Sequence, residues 1–285
     1  MTVAETLATP ADFLGAIAGA REIAVSAYML EPEGDVARAL EAASDRGASV
    51  SVTLERFADR PASDGLRRLS ERCAAGLRAH GVDVRLGVPS GDVVHLKAAA
   101  VDGIAFLDDR NWASAGETIV ATSRPDDVAL VRDAIAGRTG ATERLATEKA
   151  AALRLETDAI RGGGDRIDVE SESFGACAVS QELRARAAAG AHVRLLVNGR
   201  LARSKGARRE RALLHRLAKA GVKIRTTGAD EKLCIAGDRG WVGSANATFD
   251  VTPMTDWGLA VGAGAVLDAL ESTFEREWIA ARPFP

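Results

Sequence analysis

The 285-residue chain predicts an α/β protein of two pseudo-symmetric units, each a mixed sheet flanked by helices. Three observations carry that expectation. Short apolar runs with strand character alternate with segments of helical periodicity from end to end. The order strand–helix–strand–helix–strand–hairpin occurs twice, once within residues 1–140 and again within 141–285. The two copies also align without a gap over one stretch, where DEKLCIAGDRGWVGSANAT (230–248) falls on HLKAAAVDGIAFLDDRNWA (95–113). In that alignment Lys232 meets Lys97 and Asn246 meets Asn111.

Taken in order, residues 9–20 (TPADFLGAIAGA) read as a helix with a Thr cap and Pro in the first turn. EIAVSAYML (22–30) reads as a strand, 34–47 as a helix stopped at Gly47, and ASVSVTLE (48–55) as the next strand. A loop leads into a helix over roughly 65–80, closed by His80-Gly81, and VDVRLGV (82–88) follows as a strand. The apolar run VVHLKAAAVDGIAFL, broken at Asp102-Gly103, reads as a β-hairpin with His95 and Lys97 on one face. ETIVATS is then a strand and PDDVALVRDAIAG a helix.

From 141 the order restarts. ATERLATEKAAALRLETDAIRGGG is expected to be helical throughout, and DRIDVESESF (165–174) is the strand that answers 22–30. Residues 179–200 answer 34–56 as helix, Gly-Ala turn and strand, and 209–228 answer the helix and strand of 65–88. The aligned hairpin, DWGLAVG (256–262) and a closing helix complete the second unit. The linker at 137–141 is short, so the halves are expected to pack as one body with one composite site.

Composition narrows the function classes. An apolar fraction of 47% and a charged fraction of 27% suit an ordinary globular protein, and a net charge of −3 excludes a generally polycationic nucleic-acid or membrane binder. Three scattered cysteines without C-x-x-C spacing argue for a reducing compartment, with neither a disulfide framework nor a zinc site. The first residues lack the basic-then-apolar order of a secretion signal, and no apolar run reaches the roughly 18 residues of a membrane span. The expectation is a cytoplasmic protein, monomeric because both half-sites lie in one chain, with no cofactor and no metal.

An imidazole beside an ammonium is a natural receiver for a phosphate, and His95-x-Lys97-x4-Asp102 with Asn111 downstream sets both in a defined frame. This pattern, duplicated in register and followed in the second copy by Gly243-Ser244-Ala245-Asn246, resembles the phospholipase D superfamily over nearly the whole chain. The resemblance implies a phosphodiester substrate, either phospholipid or nucleic acid. It implies that Lys97 and Lys232, with Asn111 and Asn246, hold the non-bridging oxygens of a phosphate. It implies that an imidazole attacks phosphorus and a second imidazole protonates the leaving alkoxide. A carboxylate downstream of the asparagines, Glu117 or Asp256, is expected to orient the catalytic histidine. No metal is implied, because the lysines supply the charge.

The sequence departs from that family's pattern in three places. Asp230 stands where the second histidine belongs, Gly237 where the second aspartate belongs, and Asp108-Asp109 replace Gly-Ser in the first copy. Asp102 itself opens a tight turn and has a turn role as well as a catalytic one open to it. Asp109 sets a carboxylate near the expected phosphate, at the position that the substrate-binding candidate Ser244 holds in the other copy. Asp230, flanked by lysines, is expected to stay ionised and to serve poorly as a general acid.

His95 is then the one motif histidine, and the chain is expected to be slow at full turnover. Two function classes stand. The first is a metal-independent phosphodiesterase or phosphatidyl-type transferase acting through His95, with a nuclease of the same superfamily as a variant. The second is an inactive module that grips phosphate. Arg203, Lys205 and Arg208, at the start of a basic stretch, are candidate contacts for a polyanion or lipid headgroup.

Overall fold

A computed structural model describes residues 5–57, 63–112, 118–202, 207–228, 231–249 and 253–284. The chain divides into two compact units, one of Met1–Lys149 with Thr252–Trp257, the other of Ala150–Val251 with Gly258–Pro285.

The first unit runs β1 (Glu5–Ala8), α1 (Pro10–Gly19), β2 (Glu22–Ala27), α2 (Asp35–Asp45), β3 (Ser49–Leu54), α3 (Asp64–Ala79) and β4 (Asp83–Leu86). It continues with β5 (Val93–Val94), β6 (Ala98–Val101), β7 (Ile104–Asp108), β8 (Ile119–Thr122), α4 (Pro125–Ile135) and β9 (Leu145–Glu148). Its sheet has the order β1-β8-β7-β6-β2-β3-β4, with β2, β3 and β4 parallel and the rest antiparallel. Helix α1 starts as the sequence predicts, with a capping box in which Thr9 and Asp12 satisfy each other's backbone N–H groups. Phe13 and Ile17 from α1, Val25 from β2, Leu40 from α2 and Leu77 from α3 meet in the core, where Phe13 stacks on Trp112 at 4.3 Å.

The second unit runs α5 (Lys149–Gly162), β10 (Arg166–Ser171), α6 (Ala178–Ala188), β11 (His192–Asn198), α7 (Gly199–Ala202) and α8 (Arg208–Lys219). Then come β12 (Lys223–Thr227), β13 (Leu233–Ala236), β14 (Arg239–Gly243), β15 (Met254–Gly262), α9 (Ala265–Ala280) and β16 (Arg282–Pro283). The strands order as β16-β12-β11-β10-β13-β14-β15, with β10, β11 and β12 parallel. The two units therefore repeat one topology, and they repeat its register. Ser26 of β2 pairs with Ala98 and Glu170 of β10 pairs with Leu233, so each motif lysine directly precedes its antiparallel strand at the same height.

Two expectations are corrected here. Residues 141–164 are not one helix, because Leu145–Glu148 is extended and the helix begins at Lys149. Leu145, Ala146 and Thr147 are buried in a row, a run too short for the periodicity to reveal. The hairpin also begins later than the apolar run suggests. Strand pairing across the turn runs from Ala98–Leu107 to Val101–Ile104, the Asp108 N–H adds a bond to the Lys97 carbonyl at 2.9 Å, and His95 lies on the irregular stretch between β5 and β6.

The turn explains one departure from the family pattern. Asp102 and Gly237 both adopt left-handed backbone, with φ 48° and 64°. Glycine meets that requirement without steric cost, so Gly237 keeps the turn that Asp102 makes in the first unit. The Asp102 carboxylate accepts the backbone N–H groups of Arg21 (3.1 Å) and Glu22 (2.9 Å) and fastens the turn to β2. Those contacts give its carboxylate a structural use at the turn. In the second unit Gly163 passes so close to Ala236 that a Cβ there would lie 2.3 Å from the alanine's own, so backbone contact replaces the carboxylate.

Glu156 of α5 is buried, and burial raises its carboxyl to about 8. Burial likewise raises the thiols of Cys177 and Cys234, and the charge of Glu156 adds to both. A folded-state value above the unfolded one means that the unfolded chain binds fewer protons between roughly pH 4.5 and 8. Stability from this group is therefore full at low pH and falls as pH rises to about 8, by up to about 5 kcal/mol. Glu156→Gln will flatten that part of the curve, so its Tm will exceed that of the parent at pH 8.5 but differ little at pH 5. Thermal melts at the two pH values check it.

Candidate active site

His95 is fixed from both sides. Its backbone N–H reaches the carbonyl oxygens of Val93 and Thr255, each at 3.1 Å, because β5 pairs in parallel with Met254 and Thr255 at the start of β15. The carboxylate of Glu55, at the end of β3, accepts the N–H of Val94 (2.6 Å) and of Phe57 (2.9 Å), which anchors the residue before His95. The equivalent residue of the second unit, Asn198, makes the same local turn by accepting the N–H of Arg200 at 3.0 Å.

The side chain of His95 is 17% exposed and its Nδ1 lies 2.8 Å from Oδ1 of Asp256, whose own side chain is fully buried. On the other side Nε2 lies 2.9 Å from Nζ of Lys97, which is 2% exposed. An ammonium has no acceptor and a carboxylate no donor. The tautomer consistent with both neighbours carries the proton on Nδ1, donated to Asp256, and leaves a lone pair on Nε2. Tyr28, just after β2, completes the surround: its ring meets His95 edge-on at 5.0 Å, and Lys97 Nζ stands 5.4 Å from its centroid.

Of the two carboxylates the sequence leaves open, Asp256 lies on His95. Glu117 lies outside the described residues. Asp256 is 161 residues from His95 in sequence, yet it belongs with the first unit. Asn111 is half-buried on the loop after β7. The Asp108-Asp109 pair is put to structural use. Asp108 accepts the N–H of Trp112 (2.8 Å) through its carboxylate and the indole N–H of Trp257 (2.8 Å) through its carbonyl. The Asp109 carboxylate is fully buried and accepts the N–H of Thr118 at 3.0 Å, so it is engaged within its own loop.

In the second unit Lys232 is 3% exposed and its Nζ lies 3.2 Å from Oε2 of Glu172. Asn246 accepts the N–H of Ser173 at 3.0 Å and donates from Nδ2 to the same Glu172 oxygen at 3.5 Å. Those two contacts orient the amide, because one end needs an acceptor and the other a donor. Ser244 is fully buried at the end of β14. Asp230, Arg203 and Lys205 lie outside the described residues, whereas Arg208 is exposed at the start of α8.

Sequence reasoning passed over Tyr28, Glu55 and Glu172. Tyr28 and Glu172 are one residue beyond equivalent strands, so the repeat, carried back to β2 and β10, would have brought both into view. Among the described residues no helix is long and apolar enough to cross a membrane.

Residues 157–278 match the family model described as cardiolipin synthase, PLD-like domain. No curated protein matches the chain. Among solved structures it is similar to a phosphatidylserine synthase from Haemophilus influenzae Rd KW20, with a TM-score of 0.70 at 10% identity, covering 96% of this chain and 86% of that one. It is also similar to a polyphosphate kinase from Porphyromonas gingivalis, with a TM-score of 0.67 at 19% identity, covering 96% of this chain; the chain spans 50% of that protein. Nuc from Salmonella typhimurium, a phospholipase D family member, aligns with a TM-score of 0.43 at 17% identity, covering 50% of this chain and 96% of that one.

Proposed function

We propose that the chain is a member of the phospholipase D superfamily, a metal-independent phosphodiesterase or phosphatidyl-type transferase whose nucleophile is His95; the family-model match over residues 157–278 supports the membership. The observation that supports this reading is the alignment of Asp256, His95 and Lys97, which leaves the Nε2 lone pair facing an ammonium. Without substrate, Lys97 donates to that lone pair. A phosphoryl oxygen entering the site gives Lys97 a better partner, a charge-assisted one, and thereby frees Nε2 to attack.

The attack forms an Nε2–P bond and breaks the P–O bond to the leaving alkoxide, which takes a proton from solvent unless it is stable as an anion. Asp256 stabilises the positive charge that develops on the imidazole. Water or an alcohol then attacks phosphorus, the P–N bond breaks and His95 is restored, so the acceptor decides between hydrolysis and transfer. Lys97 and Asn111 supply the charge and the directed hydrogen bond at the phosphoryl oxygens, work a metal would otherwise do. Incubation with bis-p-nitrophenyl phosphate in EDTA is the test. Nitrophenolate release with an acid-labile phosphoryl group on His95 is the expected result, and a strict need for divalent metal would overturn it.

Asp230 supports a further expectation within this reading. Asp230 stands where the second histidine of the resemblance belongs, and an ordinary carboxyl group holds no proton to give at neutral pH. Asp230→His will raise turnover of diesters with alkyl leaving groups by about a hundredfold. The burst of nitrophenolate from the activated diester will stay within about twofold, since that leaving group needs no acid. Equal rates on the alkyl diester would refute the role given to Asp230.

A further inference from the structure

Tyr28 and Glu172 hold the same place in the two units, one residue beyond the parallel strands whose register with the motif strands is identical. Each lies against its motif lysine, but with different chemistry. The face of Tyr28 attracts the Lys97 ammonium without cancelling its charge. The Glu172 carboxylate instead sets one oxygen 3.2 Å from Lys232 Nζ and 3.5 Å from Asn246 Nδ2. An anionic oxygen shared by an ammonium and an amide N–H is the arrangement a phosphate oxygen would take on the same two groups.

We propose that Glu172 is a built-in anionic occupant of the second motif, competing with phosphate oxygens for Lys232 and Asn246. The proposal rests on the reading that these two side chains are a phosphate grip. On this proposal the second motif accepts an anion only when Glu172 withdraws. Withdrawal is sterically open, because the Glu172 side chain is 32% exposed while its partner lysine is buried. The segment that carries Glu172 is held independently. Phe174 donates its N–H to Glu210 at 3.4 Å, and Ser171 accepts the N–H of Ala247 at 3.2 Å, so loss of the carboxylate need not release the loop.

Titration calorimetry with inorganic phosphate at low salt is the experiment, on the parent chain, Glu172→Gln, Lys232→Met and the double variant. Glutamine keeps the shape and an acceptor for Asn246 but removes the charge. Glu172→Gln will tighten phosphate binding roughly twofold to fivefold, the range for a partly exposed ion pair that no longer competes. In the Lys232→Met background the same change will have no effect, because the contested group is gone. Unchanged or weaker binding in Glu172→Gln, or equal tightening in both backgrounds, would overturn the proposal.

The outcome separates from that of the proposed function because phosphate binding needs no turnover. Tightening in a chain that never phosphorylates His95 would retain Glu172 as an occupant and remove the enzyme reading. A phosphorylated His95 with no effect of Glu172→Gln would do the reverse.

Discussion

His95→Ala is expected to remove diester cleavage to the level of the uncatalysed reaction, a fall of at least about 10⁴-fold, with no phosphoryl group trapped on the protein. The size follows from what the residue does. Lys97 and Asn111 still bind a phosphoryl oxygen in the variant, but nothing remains to form the P–N bond, and water at that position lacks a base. The deletion must therefore appear in kcat far more than in substrate affinity. His95→Gln makes the comparison sharper, since the amide fills the space without supplying a nucleophilic lone pair. Single-turnover release of nitrophenolate, read beside phosphate binding by calorimetry, separates the two terms. A variant that retains even a hundredth of the parent rate would move the nucleophile elsewhere.

Asp256→Asn is expected to lower the chemical step by about 10²–10⁴-fold while the fold and the phosphate affinity change little. The asparagine side chain offers either an acceptor or a donor to Nδ1, and the buried charge that favours Nδ1–H is lost. The alternative tautomer places a proton on Nε2, where it faces the Lys97 ammonium and leaves no lone pair for attack. The imidazolium that forms during attack also loses its counter-charge. Measurement of single-turnover rate against pH tests the tautomer directly. A rate within about threefold of the parent across the profile would show that Asp256 only packs against His95.

The candidate site was legible in the sequence wherever the chemistry is local or repeated. His95 and Lys97 are two residues apart, and the ungapped repeat paired Lys97 with Lys232 and Asn111 with Asn246 before any fold was known. The repeat also implied the shared topology of the two units, since hydrophobic alternation and glycine stops recur in the same order. What it could not give was the backbone path beneath His95. An apolar run reads as strand whether or not it has a neighbour to pair with, and at His95 the backbone N–H goes to Thr255 and Val93 rather than across the hairpin.

The sequence alone determined the fold class, the internal repeat and the matched lysine and asparagine pairs, because periodicity and spacing are properties of short segments. Only the tertiary structure showed that Asp256 lies on His95, since it arrives from 161 residues away by strand pairing. It also decided that Asp102 and Asp109 are held by backbone N–H groups, and that Glu172 lies on Lys232. The reason is the same in each case. A carboxylate's charge is written in the sequence, but its partner is set by which strands exchange hydrogen bonds, and that choice is made by packing across the whole unit.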